Sequence, residues 1–249
     1  LSTSETAIGP RPGLSNVADI VVAPNAAFDR LRQIPTWGWA FLIGTVLGVI
    51  GSLLMAPAIL HALQTSMPAQ LAADPGLAKL PPEQQQRTIA MSMQFAKVFT
   101  QISFIFIPIA ILLAGVLQAV VMLIANAAGR GDGSFTKYFA LSVNVSVIGI
   151  GISYIVLGII VLVRGPNAFE TTTAVQASLP SFALLMPGAR GAAAGFFGAL
   201  NVFTIWATVL LALGMQRVGR VSAPVAWIAA IVMLLCTAGL AAFGGAKNG

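Results

Sequence analysis

Apolar residues run along this chain in long blocks broken by short polar connections. Five windows are each long and apolar enough for a helix to cross a bilayer, which takes about 20 residues. They are 37–60, 102–124, 139–163, 192–215 and 225–243. The expected fold is an all-α membrane protein, with a bundle of five transmembrane helices occupying 37–249. Residues 1–15 are expected to form a flexible tail, and 16–36 an interfacial helix region. The tail contains Pro10, Pro12 and Gly13 and lacks the apolar core of a signal peptide, so the first span is expected to serve as the membrane signal.

Small and amide side chains recur at helical spacing inside these windows. Gly44, Gly48 and Ser52 lie four apart with Gly51 beside them, so a second helix is expected to approach this face closely. The third window places Asn144, Gly151 and Gly158 at intervals of seven, and the fourth places Ala194, Gly198 and Asn201 along one side. Both asparagines should point into the bundle, where an amide finds hydrogen bonds that lipid cannot supply. Pro108 removes a backbone donor from the second span and is expected to bend it. The fifth span opens with Ser222 as a cap and Pro224 in its first turn. No internal repeat is visible, which argues against the inverted-repeat transporter plan.

Two amphipathic stretches adjoin the spans. Pro81, Pro82 and Glu83 start a helix that runs into the second window, with Met91, Phe95, Val98, Phe99 and Ile102 on one face and Arg87, Gln94, Lys97 and Gln101 on another. Before the first span, Val21 or Val22, Phe28 and Leu31 can face lipid while Asp29, Arg30 and Arg32 face water. That segment reads as an interfacial helix interrupted near Pro24. Phe28, Leu31, Met91, Phe95 and Phe99 are therefore the expected contact residues for the bilayer or a partner.

Composition narrows the classes further. With 57% apolar and 8% charged residues, against about a quarter charged in soluble domains, there is too little charge to cover a water-facing surface. The formal charge of +6 is scattered singly instead of forming a stripe, which excludes nucleic acid as a partner. The basic residues read as topology signals. Arg11, Arg30 and Arg32, then Arg130 and Lys137, then Arg217 and Arg220 fall on alternate connections, so the N-terminus is expected in the cytoplasm and the C-terminus outside, in a bacterial inner membrane.

Candidate chemistry is sparse. The chain has one histidine, His61, and one cysteine, Cys236, and no Asp or Glu inside any window. No nucleophile with its base, carboxylate pair or metal ligand set can be assembled, so neither enzyme activity nor a cofactor is expected. Cys236 lies in an apolar run and is expected as a small core residue, and His61 as an interfacial side chain. The loop Gly131 to Phe135 has no strand before it and no Lys with Ser/Thr opening the next helix, so it reads as a tight turn and not a phosphate cradle.

Three stretches carry a resemblance. Pro24, Phe28 and Leu31 form a Pro-x-x-x-Phe-x-x-Leu pattern before Trp37; a loop reads Gly131-Asp132-Gly133-Ser134-Phe135-Thr136-Lys137-Tyr138; and Phe203-Thr204-Ile205-Trp206 precedes Leu213-Gly214. This order resembles the Yip family of membrane proteins, named for interaction with Ypt/Rab GTPases and also widespread in bacteria. The resemblance covers the chain from about Ser15 onward, with Pro24, Phe28, Gly131, Gly133, Phe135 and Trp206 as its motif positions. It implies five spans and a cytoplasmic N-terminus. The Asp-Leu-Tyr-Gly-Pro signature and the long acidic N-terminal domain of the eukaryotic branch are absent, so the chain resembles the bacterial branch and Rab binding is not carried over.

The expected role is a non-catalytic membrane scaffold or accessory subunit whose partner is another integral membrane protein, such as a transporter complex, with homo-oligomers left open. The alternative is a lipid or small-solute transporter or channel lined by Gln118, Asn144, Asn201 and Thr204.

Overall fold

The computed structural model describes residues 12–186 and 188–247. Among the described residues eleven α-helices follow one another: α1 (Pro12–Val22), α2 (Pro24–Gln33), α3 (Gly38–Ala72), α4 (Pro82–Ile102), α5 (Phe106–Ala128), α6 (Phe135–Ser146), α7 (Ser153–Arg164), α8 (Thr172–Gln176), α9 (Gly191–Ala199), α10 (Val202–Val218) and α11 (Ala223–Lys247). A 3₁₀ turn, Ser103–Ile105, joins α4 to α5, and a π-helical stretch, Val147–Ile152, joins α6 to α7. There is no strand among the described residues, only an isolated bridge between Ser181 and Asn201. Four continuous helical stretches among the described residues are long and apolar enough to cross a membrane: 38–72, 82–128, 135–164 and 223–246.

The fourth window departs from expectation. It is two helices, α9 and α10, separated at Leu200 and Asn201. Backbone groups freed by such a break must find partners. Phe182 N donates to Leu200 O at 3.2 Å, Val202 N donates to Pro180 O at 3.0 Å, and the Asn201 side chain caps α10 by accepting from Phe203 N and Thr204 N. The loop before α9 thus takes the place of the missing helical turn. Gly198 makes no close approach: a Cβ there would meet nothing within 4 Å. The tight contact runs instead through Gly195 against Ala241 and Gly245 against Gly191, where added Cβ atoms would lie 2.9 and 3.1 Å from the facing carbonyl carbons.

The glycines of the first span do lie on close contacts. α3 runs parallel to α6 and α7, with Thr36 beside Asn144, Gly44 beside Gly151, and Gly51 beside Tyr154 and Gly158. A Cβ on Gly51 would lie 2.5 Å from the Tyr154 carbonyl oxygen, and one on Gly151 would lie 3.4 Å from Gly44 Cα. Gly48 faces Ile107 and Ile150, and Ser52 is half-buried at the edge of this contact.

Other boundaries shift. α3 continues through His61 to Ala72, so His61 is not at its end. In the second window the irregular turn falls at Ser103–Ile105, leaving Pro108 in the first turn of α5, where a missing donor disturbs the helix least. Pro12 to Ser15, expected in a flexible tail, belong to α1, while residues 1–11 lie outside the described residues. Cys236 is exposed on α11 and not in the core.

Because the Gly51 contact is backbone against backbone, no rotamer change can relieve an added methyl. Gly51→Ala is expected to lower stability in detergent by about 1–3 kcal/mol, as overpacking does. Gly198→Ala, in open space on a helix, should leave it unchanged or slightly raised. Thermal unfolding of the two purified variants beside the wild type checks both.

Candidate functional site

At one end of the bundle two connections interlock. Asn126, near the end of α5, accepts from the Tyr138 hydroxyl at 2.6 Å and from Gly133 N at 2.9 Å through Oδ1, and its amide donates to Gly131 O at 3.2 Å. The loop between α5 and α6 is then bonded to the loop between α10 and α11: Asp132 N donates to Gly219 O at 2.8 Å, and Ser222 N to Gly129 O at 3.3 Å. Glycine is required where the loops cross. A Cβ on Gly133 or Gly219 would fall within 2.6 Å of Tyr138 ring atoms, and one on Gly131 would fall 2.5 Å from Gly219 O. Each loop also turns through an arginine in the left-handed region, Arg130 at φ 53° and Arg220 at φ 52°. The Gly131 to Phe135 loop is thus a tight turn with a partner, a second turn that spacing alone could not reveal.

The N-terminal helices dock on this end instead of lying in lipid. Phe28 and Leu31 are fully buried in the main core with Tyr138, Met215 and Val218, which corrects their expected role as lipid or partner contacts. Val22, by contrast, is exposed. A polar chain seals the docking: Asp19 pairs with Arg30, Arg30 Nε donates to Asn16 Oδ1 at 2.6 Å, Asn16 donates to Thr36 Oγ1 at 3.1 Å, and Asn144 donates to Thr36 O at 2.9 Å. Asn144 is fully buried and also donates to Ala140 O, while its Oδ1 has no partner. Arg217 grips Asp29 with two bonds of 2.7 and 3.0 Å, and Arg32 and Arg220 share Asp132 at 3.5 and 3.6 Å. The Arg217 guanidinium holds the Asp29 carboxyl below its ordinary range.

Aromatic rings mark the same end. Trp37 meets Phe139 edge-on at 5.4 Å, Phe135 stacks on Phe139 at 6.0 Å, and Trp227 lies in the second turn of α11. Such a girdle belongs at a headgroup boundary.

At the other end, α3 and α4 run beyond what a bilayer needs. Thirty-five residues make α3 about 50 Å long, and the α4–α5 rod of 47 residues is about 70 Å, against a hydrocarbon core of about 30 Å. A groove of about 220 Å³ between α3 and α4 is lined by Leu60, Leu63, Gln64, Met93, Gln94 and Lys97. The expected apolar face of α4 points away from α3. Met91, Phe95 and Phe99 are 68, 72 and 48% exposed, and the rings of Phe95, Phe99 and Phe106 stack in sequence at 6.2 and 5.7 Å.

The polar residues weighed for a transport path serve structural bonds. Ser142 donates to Gln118, Asn201 and Thr204 cap α10, and Asn144 anchors Thr36. Of the motif positions, Pro24 opens α2, Gly131 and Gly133 form the interlock, and Phe135 and Trp206 are exposed. Nothing in the local sequence pattern marks Asn126, Tyr138, Gly219 and Thr36 as site residues. Only Gly191 and Gly195, four apart, carried a readable signal for the α9–α11 contact.

Tyr138→Phe keeps the ring but removes a buried bond, and is expected to cost about 1–2 kcal/mol; Asn126→Ala strands several partners and should cost more. Thermal unfolding of both variants tests the order. Because Asp29 is held below its ordinary carboxyl range, its ion pair contributes fully above about pH 4, the unfolded carboxylate range, and is lost as pH falls through the folded value. The stability difference between wild type and Asp29→Asn should therefore be largest near neutral pH and vanish in acid. A constant difference across a pH series would assign the effect to something other than the charge pair.

The chain matches the Yip1 domain over residues 18–243. It is 26% identical to the membrane protein YknW of Bacillus subtilis (strain 168) over 215 residues, covering 86% of this chain and 83% of that protein. No solved structure matches it. An all-helical bundle with long apolar helices, and a match that spans nearly its whole length, place this integral membrane protein in the Yip1 domain family.

Proposed function

We propose that this protein is a non-catalytic scaffold or accessory subunit that docks another integral membrane protein through the outward face of α4. The observation that carries the reading is the length of one apolar stripe. Exposed apolar side chains recur every three or four residues from Met91 through Phe95, Phe99, Ile102, Phe106, Ile109 and Leu113 to Ile124. This stripe is about 50 Å long, and α5 alone, at 23 residues and about 34 Å, already matches the hydrocarbon thickness. Lipid covers the α5 portion, and the α4 portion needs a protein surface. The exposed segment Phe182 to Met186 supplies a second apolar element on the same side.

The topology that fits this reading has five crossings, with the broken α9–α10 pair as the fourth, a cytoplasmic N-terminus and an external C-terminus, in a bacterial cytoplasmic membrane. It is supported by the gathering of Arg30, Arg32, Arg217 and Arg220 with the loop carrying Arg130 at one end, where three connections meet. The partner consistent with it is an integral membrane protein that presents an apolar surface outside the cytoplasmic face.

Replacing Phe95 and Phe99 together by Ala is expected to release the partner, since aromatic anchors in an interface contribute about 2 kcal/mol or more each. The check is quantitative co-purification in mild detergent from cells expressing equal, equally inserted amounts of each form. An identical partner set for the wild type and the double variant counts against docking at α4.

A further inference from the structure

We propose that the groove between α2 and α10 binds the phosphodiester headgroup of an anionic phospholipid. The groove, about 460 Å³, is lined by Asn25, Asp29, Arg32, Leu213, Gln216 and Arg217. Its depth along the bundle suits a headgroup: Arg217 is in the last turn of α10, one residue before the helix ends, at the same end of the bundle as Trp37, Phe135 and Trp227.

Charge bookkeeping gives the chemistry. Three guanidiniums, Arg32, Arg217 and Arg220, meet two carboxylates, Asp29 and Asp132, while Arg30 is taken up by Asp19. Arg217 and Asp29 satisfy each other with two bonds. Arg32, which lines the groove, and Arg220 share the single Asp132 at 3.5 and 3.6 Å, too far for strong charge-assisted bonds, so among the described residues this set carries one positive charge in excess. A singly charged phosphodiester neutralises the set. Asn25 and the carbonyl of Gln216, whose amide donates to Ala212 O, offer neutral partners for headgroup hydroxyls. Leu213, one turn deeper on α10, supplies an apolar wall where an acyl chain leaves toward the membrane.

The experiment uses the full chain in a neutral detergent, titrated with short-chain phosphatidylglycerol, short-chain phosphatidylcholine or inorganic phosphate, with binding read from the shift in thermal unfolding. Saturable stabilisation by phosphatidylglycerol alone is expected, weakening as salt is raised. The Arg32→Gln/Arg220→Gln double variant should bind about tenfold more weakly, the value of one lost charge-assisted bond, and Arg130→Gln should bind as the wild type does. Asp29→Asn should bind phosphatidylglycerol more tightly even though the variant itself is less stable, an outcome that misfolding cannot imitate. Equal shifts with phosphatidylcholine overturn the proposal, as does unchanged binding by the double variant or weaker binding by Asp29→Asn. An equal shift with inorganic phosphate assigns the site to a soluble anion and overturns the lipid assignment.

Discussion

Apolar side chains gain little by leaving lipid tails for a protein interior, so helices in a membrane associate through close packing and polar bonds instead of hydrophobic burial. The structure follows that constraint throughout. Where α3 meets α7, and where α9 meets α11, glycines let one backbone touch another, and dispersion accumulates over the whole contact. At the end where the connections meet, Asn126 and Tyr138 tie two loops into one unit, and α1 and α2 are fastened to it by the chain from Asp19 to Asn144.

The two ends are built differently. One is closed: its loops are interlocked, its arginines are shared among aspartates, and its aromatic rings form a girdle. The other is open, with α3 and α4 extending past the membrane thickness and a run of stacked phenylalanines facing outward. On the proposed reading the closed end holds position against the membrane, through lipid phosphate, and the open end meets the partner. The absence of shared residues between the two surfaces means that each can be disabled without touching the other.

The divided fourth window shows how a polar residue reorganises an apolar stretch. Asn201 could have stayed in a continuous helix and bonded across to a neighbour. It takes the N-cap position instead, its side chain accepting from two backbone donors, and the bonds from Phe182 and to Pro180 cover the groups the break leaves open. Val147–Ile152 does something similar with a π-helical stretch in place of a break, and on either side of it Asn144 and Gly158 both reach the α3 side.

The amino-acid sequence alone carries the membrane class, the approximate windows, the small-residue face of Gly44, Gly48 and Gly51, the amphipathic start of α4 and the family, because hydropathy, small-residue spacing and motif order are local properties of the chain. It could not say that Phe28 and Leu31 turn inward, since an amphipathic face reads the same whether lipid or protein covers it. Nor could it say that Gly195 and not Gly198 bears the contact, because both lie on a short apolar helix and only the path of α11 chooses between them. The interlock of Gly131, Gly133 and Gly219 around Tyr138 joins positions far apart in the chain, and its close distances exist only once the connections have been brought to the same end. These points follow from the packed fold, because burial and backbone approach depend on what stands opposite a residue, which no local pattern records.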